Sequence, residues 1–344
     1  RLDGLPLALE LAATRVRAMG VRQLAAGLDD RFGLLVSGRR AEPVRQQTLR
    51  AVIDWSWDLL SVPERTLLRR LAVHADGCTL AAAREVCAGG EVTAARVPDL
   101  LARLVDRSLV VMAEGPDGPR YRLLESVAAY ALERLDEAED LAATRDRHLR
   151  HYLALAEAAE PRLRDGGQRA WLARLDADAA NLRAALEEAS PDGAARLTAA
   201  LTWWWLLRGR FHEARGVLAE HAPGGLFHTA FALLTGDHTA TAEPRGCGRA
   251  VWLYAYALFH AGRADASREA NARAQELFTE TGDRWGTAAA LALRAMHAMN
   301  DGGLAEIADA GGRAAALFRD LGDQWGELQT VPPLAVLAEV RGVV

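Results

Sequence analysis

The amino-acid sequence predicts a mainly α-helical protein: a helical segment and a winged-helix domain, followed by an α-solenoid of paired helices. Three observations carry that prediction. Apolar residues recur at i, i+3 and i+4 through most of the 344-residue chain, the spacing of one helix face. One β-branched and aromatic stretch, folded about Gly-Pro-Asp-Gly-Pro, interrupts the helices as a hairpin. A fourteen-residue stretch then recurs at an offset of 40 residues, within the range of helix-pair repeats.

Taken in order, residues 1–40 read as a short helical segment. Gly4-Leu5-Pro6-Leu7 forms a turn running into an apolar helix, Leu7 to Val16, and Gly20, Gly27 and Gly33 punctuate the rest of the segment. The loop "SGRRAEP", Ser37 to Pro43, closes it.

Residues 41–136 form the winged helix. Leu49, Val52, Ile53, Trp57 and Leu60 share a helix face. Ser61-Val62-Pro63-Glu64 then reads as a capping box, with Pro63 tolerated because first-turn N–H groups have no helical partner. The helix it starts buries Leu67, Leu68 and Leu71. A third helix is expected from Leu80 to Cys87, with Cys87 in the core. A fourth runs from Val97 to Arg107, its apolar stripe formed by Val97, Leu100, Leu101, Leu104 and Val105. The hairpin "SLVVMAEGPDGPRYRLLES" supplies the wing.

Residues 137–344 read as the repeat region. "RAQELFTETGDRWG" (Arg273 to Gly286) matches "RAAALFRDLGDQWG" (Arg313 to Gly326), pairing Phe278 with Phe318, Gly282 with Gly322 and Trp285 with Trp325. An earlier unit around "WWWLLRGRFHEA" has the same helix–Gly-Arg–helix form as "YALFHAGRADAS". Such stacked hairpins resemble tetratricopeptide repeats. Residues 222–248, rich in Gly, Thr and Pro, are expected to be the least regular insert.

Composition narrows the function classes. No run of 18 apolar residues occurs, so no membrane span is expected. Cys78, Cys87 and Cys247 are scattered, with no C-x-x-C pair, as in a reduced cytoplasmic protein. The net charge is −5, which disfavours the whole chain as an electrostatic glove for nucleic acid. Within 45–125 the charges cancel, at 11 arginines and 11 acids, and the recognition-helix segment "VPDLLARLVDRS" sets Asp99 and Asp106 against Arg103 and Arg107. DNA contact is therefore expected only through a domain outside this chain. All the basic residues are arginine, and an ordinary phosphate-binding P-loop, which needs a lysine, is excluded from the chain.

No catalytic constellation is evident, and no metal site or bound cofactor is expected within the chain itself. His148 and His151 sit three apart on a helix but lack the third and fourth ligands that zinc requires, so a solvated helix face is expected. Asp176 and Asp178 are not an acidic pair, because adjacent-but-one side chains point apart on a helix. Trp203, Trp204 and Trp205 in "TWWWLL" offer aromatic area for a protein or peptide partner, with core packing as the alternative.

"GLPLALELAA", "RQQTLRAVIDWSWDLLSVPERTLLRRLAV", "YRLLESVAAYALERL" and "LDADAANLRAAL" occur along the chain in this order. In that order they resemble the middle of a SARP/AfsR-type or large LuxR-type bacterial transcriptional regulator. Such regulators are built on an NB-ARC-like signalling ATPase of the STAND class. The resemblance runs from residue 1 to about 220 and more loosely through the repeats. It implies that a P-loop module stands before Arg1, so that ATP or ADP binds the whole protein. Gly4, Leu5, Pro6 and Leu7 would then line the adenine side of that site, with Pro6 touching the base. It also implies that the winged helix clamps the nucleotide module at rest while the repeats sense a partner or ligand. One position departs from the family pattern. Where NB-ARC proteins carry Met-His-Asp, this chain has Leu123, Leu124 and Glu125, so Leu124 stands at the position of the histidine that contacts the β-phosphate. Two alternatives compete with a transcriptional regulator: a protein-interaction scaffold, and the sensor module of a signalling kinase or cyclase.

Overall fold

In the computed structural model the described residues are 49–342, together with 13, 16 and 20–23. The Gly4–Leu7 turn, Gly27, Gly33 and the loop over 37–43 lie outside the described residues. The chain divides into two compact units. The first ends at Tyr152 and takes in Ala177–Glu188; the second comprises Leu153–Asp176 and the residues from Ala189 onward. The first unit holds the winged helix together with the residues that follow it to Tyr152.

The first unit opens with α1 (Leu49–Asp58) and α2 (Val62–Leu71). Ser61 joins them as expected: the Glu64 carboxylate accepts from the Ser61 backbone N–H at 2.8 Å and from its hydroxyl at 2.7 Å. A cap of this kind contributes about 1 kcal/mol. After α2 come β1 (Cys78–Thr79), α3 (Leu80–Cys87), α4 (Val97–Asp106), β2 (Val110–Gly115), β3 (Gly118–Leu123) and α5 (Glu125–Glu137). The hairpin closes on Gly115 opposite Gly118, and β3 lies between β2 and β1, antiparallel to both. β1 is absent from the sequence expectation, because a two-residue strand has no period to read. Its approach needs Gly77, whose φ is +81° and where a Cβ would meet the Tyr121 carbonyl oxygen at 2.6 Å.

Leu67, Leu68, Leu71, Val97, Leu100, Leu101, Leu104 and Cys87 form one core with Val86, Val92 and Val110, and Trp57 and Leu124 pack against it. The apolar stripes read from α2 and α4 are therefore the faces that meet. Each fully buried leucine contributes roughly 1.5 to 3 kcal/mol.

Next come α6 (Leu141–Arg162), within which the two units meet in sequence, α7 (Gln168–Ala177) and α8 (Ala179–Glu187). The second unit then continues with α9 (Pro191–Leu207), α10 (Phe211–His221), α11 (Leu226–Leu234), α12 (Gly248–His260), α13 (Ala264–Thr281) and α14 (Arg284–Asp301). The short α15 (Leu304–Glu306) passes through a π-helical turn, Ile307–Gly311, into α16 (Gly312–Leu321), and α17 (Gln324–Arg341) ends the described chain. The insert over 222–248 is irregular from 235 to 247 as expected, but it also holds α11, whose nine residues bury Leu226, Phe231 and Leu233. Glycines just before and after it disguise it in the sequence. Among the described residues no helix is long and apolar enough to cross a membrane.

The 40-residue repeat has a physical basis. Gly282 and Gly322 end their helices in the left-handed region, at φ of +64° and +75°, where a side chain is strained. Asp283 and Asp323 then cap the next helices by accepting from the N–H groups of Gly286 and Gly326. Gly286 and Gly326 let Phe278 and Phe318 lie flat on the new helix: a Cβ would meet those rings at 2.0 and 2.3 Å.

Candidate functional site

Two regions of the first unit could act: the winged-helix surface that would meet DNA, and Leu124. On α4 and its C-cap the exposed residues are Asp99, Ala102, Arg103, Asp106 and Arg107. Arg103 and Arg107 act on the Glu64 carboxylate through their charge. Burial pushes Glu64 upward, yet the Ser61 bonds and the two arginine charges bring it below its ordinary value. The wing's two arginines are also engaged. Arg122 lies 3.6 Å from Asp76, and Arg120 turns inward to Asp178 at 2.8 Å. Glu114 and Asp117 remain on the exposed wing. A DNA-reading surface needs uncommitted positive charge toward phosphates, and this one has both signs in balance.

Leu124 is the N-cap residue of α5, and its carbonyl accepts from the Ala128 N–H at 2.8 Å. Its side chain is half-buried against the winged-helix core. Gly4, Leu5, Pro6 and Leu7, the other residues expected at the nucleotide, lie outside the described residues.

The histidine pair takes another role than expected, and the two aspartates are held apart by different partners. His148 is not on a solvated face: it is only 4% exposed. Asn181 explains its setting. Its amide nitrogen donates to the Gly77 carbonyl at 2.9 Å and to Asp178 at 3.1 Å, leaving its oxygen to accept from His148 Nε2 at 3.4 Å. Arg120 donates to the same Gly77 carbonyl and to Asp178. α8 and the tip of β1 are thereby tied to the wing strand β3. His74 completes the cluster, 5.2 Å from the His148 ring and 3.2 Å from the Tyr152 hydroxyl. Burial pushes His148 down to about 4 and His74 well below its ordinary value. His151 instead pairs with Glu85. Asp178 sits in the break between α7 and α8 rather than on one helix with Asp176. Asp176, in the second unit, accepts from Trp204 Nε1 at 2.9 Å and pairs with Arg208. The signal for this network lay in "LDADAANLRAAL", where a buried Asn after an Asp cap is visible only once the partners are known. Among the described residues no group of three His, Cys, Asp or Glu side chains is placed to hold a metal ion.

The tryptophans require a correction. Trp203, Trp204 and Trp205 are 2%, 1% and 1% exposed, so none offers a partner-binding surface. α9 is covered on several sides, which lets three successive positions all find protein. Trp203 lies 5.0 Å from Trp285 and 5.9 Å from Trp252, while Trp204 lies under Arg210. Trp252 in turn meets Trp325 at 6.3 Å, so the two repeat tryptophans and Trp203 build one aromatic core.

Residues 60–136 match the family described as winged helix-turn-helix domain, the class that α2 to α5 and the three-stranded sheet define. Beyond that domain, 221 residues are 44% identical to a protein of Mycobacterium tuberculosis named provisionally as an HTH-type transcriptional regulator, and equally to one of Mycobacterium bovis. The match covers 63% of this chain and 25% of each relative, so the chain spans about a quarter of their length. An uncharacterized M. tuberculosis protein is 45% identical over 153 residues, which are 44% of this chain and 39% of that one. Among solved structures, a signal transduction ATPase with numerous domains (STAND) from Pyrococcus horikoshii, with a tetratricopeptide repeat sensor, aligns at a TM-score of 0.41 and 13% identity. That alignment covers 99% of this chain and 55% of the other.

Proposed function

We propose that this chain is the regulatory and sensor part of an ATP-dependent transcriptional regulator. Its helical repeats take up a partner or ligand signal, and the winged helix passes it to a nucleotide-binding switch. The observation that carries the reading is a winged helix whose wing arginines pair with acids and whose α4 surface carries both signs in balance, followed in sequence by stacked helical hairpins. A domain built this way packs against other protein parts rather than against phosphates. The 44% identity to relatives named as transcriptional regulators supports the regulatory half of the reading. In this reading ATP or ADP binds the whole protein, with Gly4, Leu5, Pro6 and Leu7 at the adenine, while Leu124, at the position where relatives of the family carry an imidazole, packs on the winged-helix core. DNA is reached through a different domain of the whole protein, and the chain has no catalytic activity of its own.

Two measurements on residues 1–344 test this. A gel shift with the promoter region of its own gene at about 150 mM salt, where counterion competition is strong, should show no discrete complex. Calorimetric titration with ATP and magnesium should show no micromolar binding. A sharp shifted band or a saturable ATP isotherm would each remove the reading.

A further inference from the structure

The second unit contains a cavity of about 530 Å³ between α13 and α14. Ser267, Asn271 and Gln275 repeat every four residues along α13, and Asn271 and Gln275 line the cavity with Arg294 and His297 of α14. Asn271 and His297 are 2% and 5% exposed, and each keeps one polar atom without a partner. Leaving such an atom unpaired costs roughly 1 to 3 kcal/mol, so a ligand that supplied partners to both would be stabilised by them.

The hydrogen bonds fix what those two atoms are. Asn271 Nδ2 donates to the Ala290 carbonyl at 3.0 Å, which can only accept, so the free atom is the amide oxygen. Ser267 Oγ lies 2.8 Å from the Ala255 carbonyl and 2.9 Å from His297 Nε2. One arrangement alone puts a hydrogen in both contacts: the hydroxyl donates to the carbonyl and accepts from Nε2–H. The free Nδ1 of His297 is then an acceptor too. Burial and the nearby Arg268 charge lower the pKa of His297, which keeps the ring neutral. Both buried groups therefore call for donors.

The rim sets the charge. Arg268 pairs with Asp301 at 2.7 Å, and Arg294 pairs with Glu306. With each guanidinium already matched, a phosphate or carboxylate would bring acceptors against two buried acceptors and find no unmatched cation. Guanidinium N–H groups left over at the rim can still donate to a neutral carbonyl. A ligand that donates at its inner end and accepts at its outer end is a carboxamide.

We propose that this cavity binds a neutral carboxamide, whose N–H groups donate to Asn271 Oδ1 and His297 Nδ1 and whose carbonyl accepts from the arginine rim. The site deepens the sensor reading, and rests on it only for the consequence of binding: occupancy would bridge α13 and α14 of successive hairpins. The chemistry could come from a free primary carboxamide or from the amide groups of a peptide.

The test uses the 344-residue chain and three probes of known structure: benzamide, its isostere benzoate, and a neutral capped tripeptide. Saturation-transfer NMR should show benzamide or the tripeptide binding at least about tenfold more tightly than benzoate, one hydrogen bond's worth of discrimination. Which of the two binds better identifies the source. Asn271→Leu and His297→Phe, each of similar shape, should weaken binding about tenfold with helical content unchanged. Should either variant misfold, the wild-type chain still decides: the ¹⁵N resonance of His297 Nδ1 should move upfield on adding the bound amide. Preference for benzoate, no binding of either amide, or an unmoved Nδ1 resonance would each overturn the proposal. These outcomes leave the regulatory reading standing. Amide binding that changes neither nucleotide release nor transcription by the whole protein would instead retire the sensor reading and keep the site.

Discussion

Acid should loosen the first unit through His148. The ring is 4% exposed, and burial, reinforced by the His151 charge and opposed by the Asn181 bond, pushes its pKa from 6.5 down to about 4. Above pH 6.5 the imidazole is neutral in folded and unfolded chains alike, and the unit has its full stability. Between 6.5 and 4 the unfolded chain takes a proton that the folded chain refuses, so stability falls as pH falls. At about 1.4 kcal/mol per pH unit, the loss from His148 is about 2 kcal/mol by pH 5 and about 3 kcal/mol near pH 4. His74, whose pKa burial also lowers, acts in the same direction. Urea unfolding of the wild type at pH 7.5, 6.5 and 5 measures the slope, before most carboxylates titrate. His148→Gln can still donate to Asn181 but does not titrate, and should flatten the slope by about 2 kcal/mol between pH 7.5 and 5. A His148 that titrates near 6.5 in the folded chain by NMR, or a glutamine variant that keeps the wild-type slope, would rule this origin out.

Packing leads to three further predictions. Gly286→Ala would place a Cβ 2.0 Å from the Phe278 ring and should destabilise by about 2 kcal/mol or more, whereas Gly216→Ala on α10, with open space around it, should stabilise by roughly 0.4 to 1 kcal/mol in the same thermal melts. Arg120→Ala leaves Asp178 buried without its cation and should cost about 3 kcal/mol in denaturant unfolding, while Asp178 and Arg120 replaced together by Leu and Met should lose less. Leu124→Ala removes a half-buried side chain, so a loss of about 1 to 2 kcal/mol is expected by calorimetry, with the ADP off-rate of the whole protein unchanged if core packing is its main role.

The winged helix is legible in the sequence because its elements are amphipathic and strongly punctuated. The stripe from Val97 to Leu104 and the Ser61–Glu64 cap are local signals, and the folded chain uses both as read. The repeat is legible for a similar reason: Gly282, Asp283 and Gly286 each meet a local steric or capping need that Gly322, Asp323 and Gly326 meet again. What escapes a sequence reading depends on distant partners. Whether Trp203 faces solvent or Trp285 is decided 82 positions along the chain, not by the three indoles' own spacing. The burial of His148 likewise depends on Asn181, 33 residues on. The paired acceptors Asn271 and His297 are invisible until Ser267 and Ala290 show which atoms are taken.

If the helical repeats and winged helix set the state of a nucleotide switch in a larger protein, the repeats must influence how that protein holds its nucleotide. Release of fluorescent ADP from the whole protein, measured with and without residues 250–344, reads this influence without intermediate steps. Removing the repeats should change the release rate by about tenfold or more, the scale of a coupling of one to three kcal/mol. The winged helix should stay folded. An ADP off-rate unchanged by the deletion, in a protein that still binds nucleotide, would contradict the coupling.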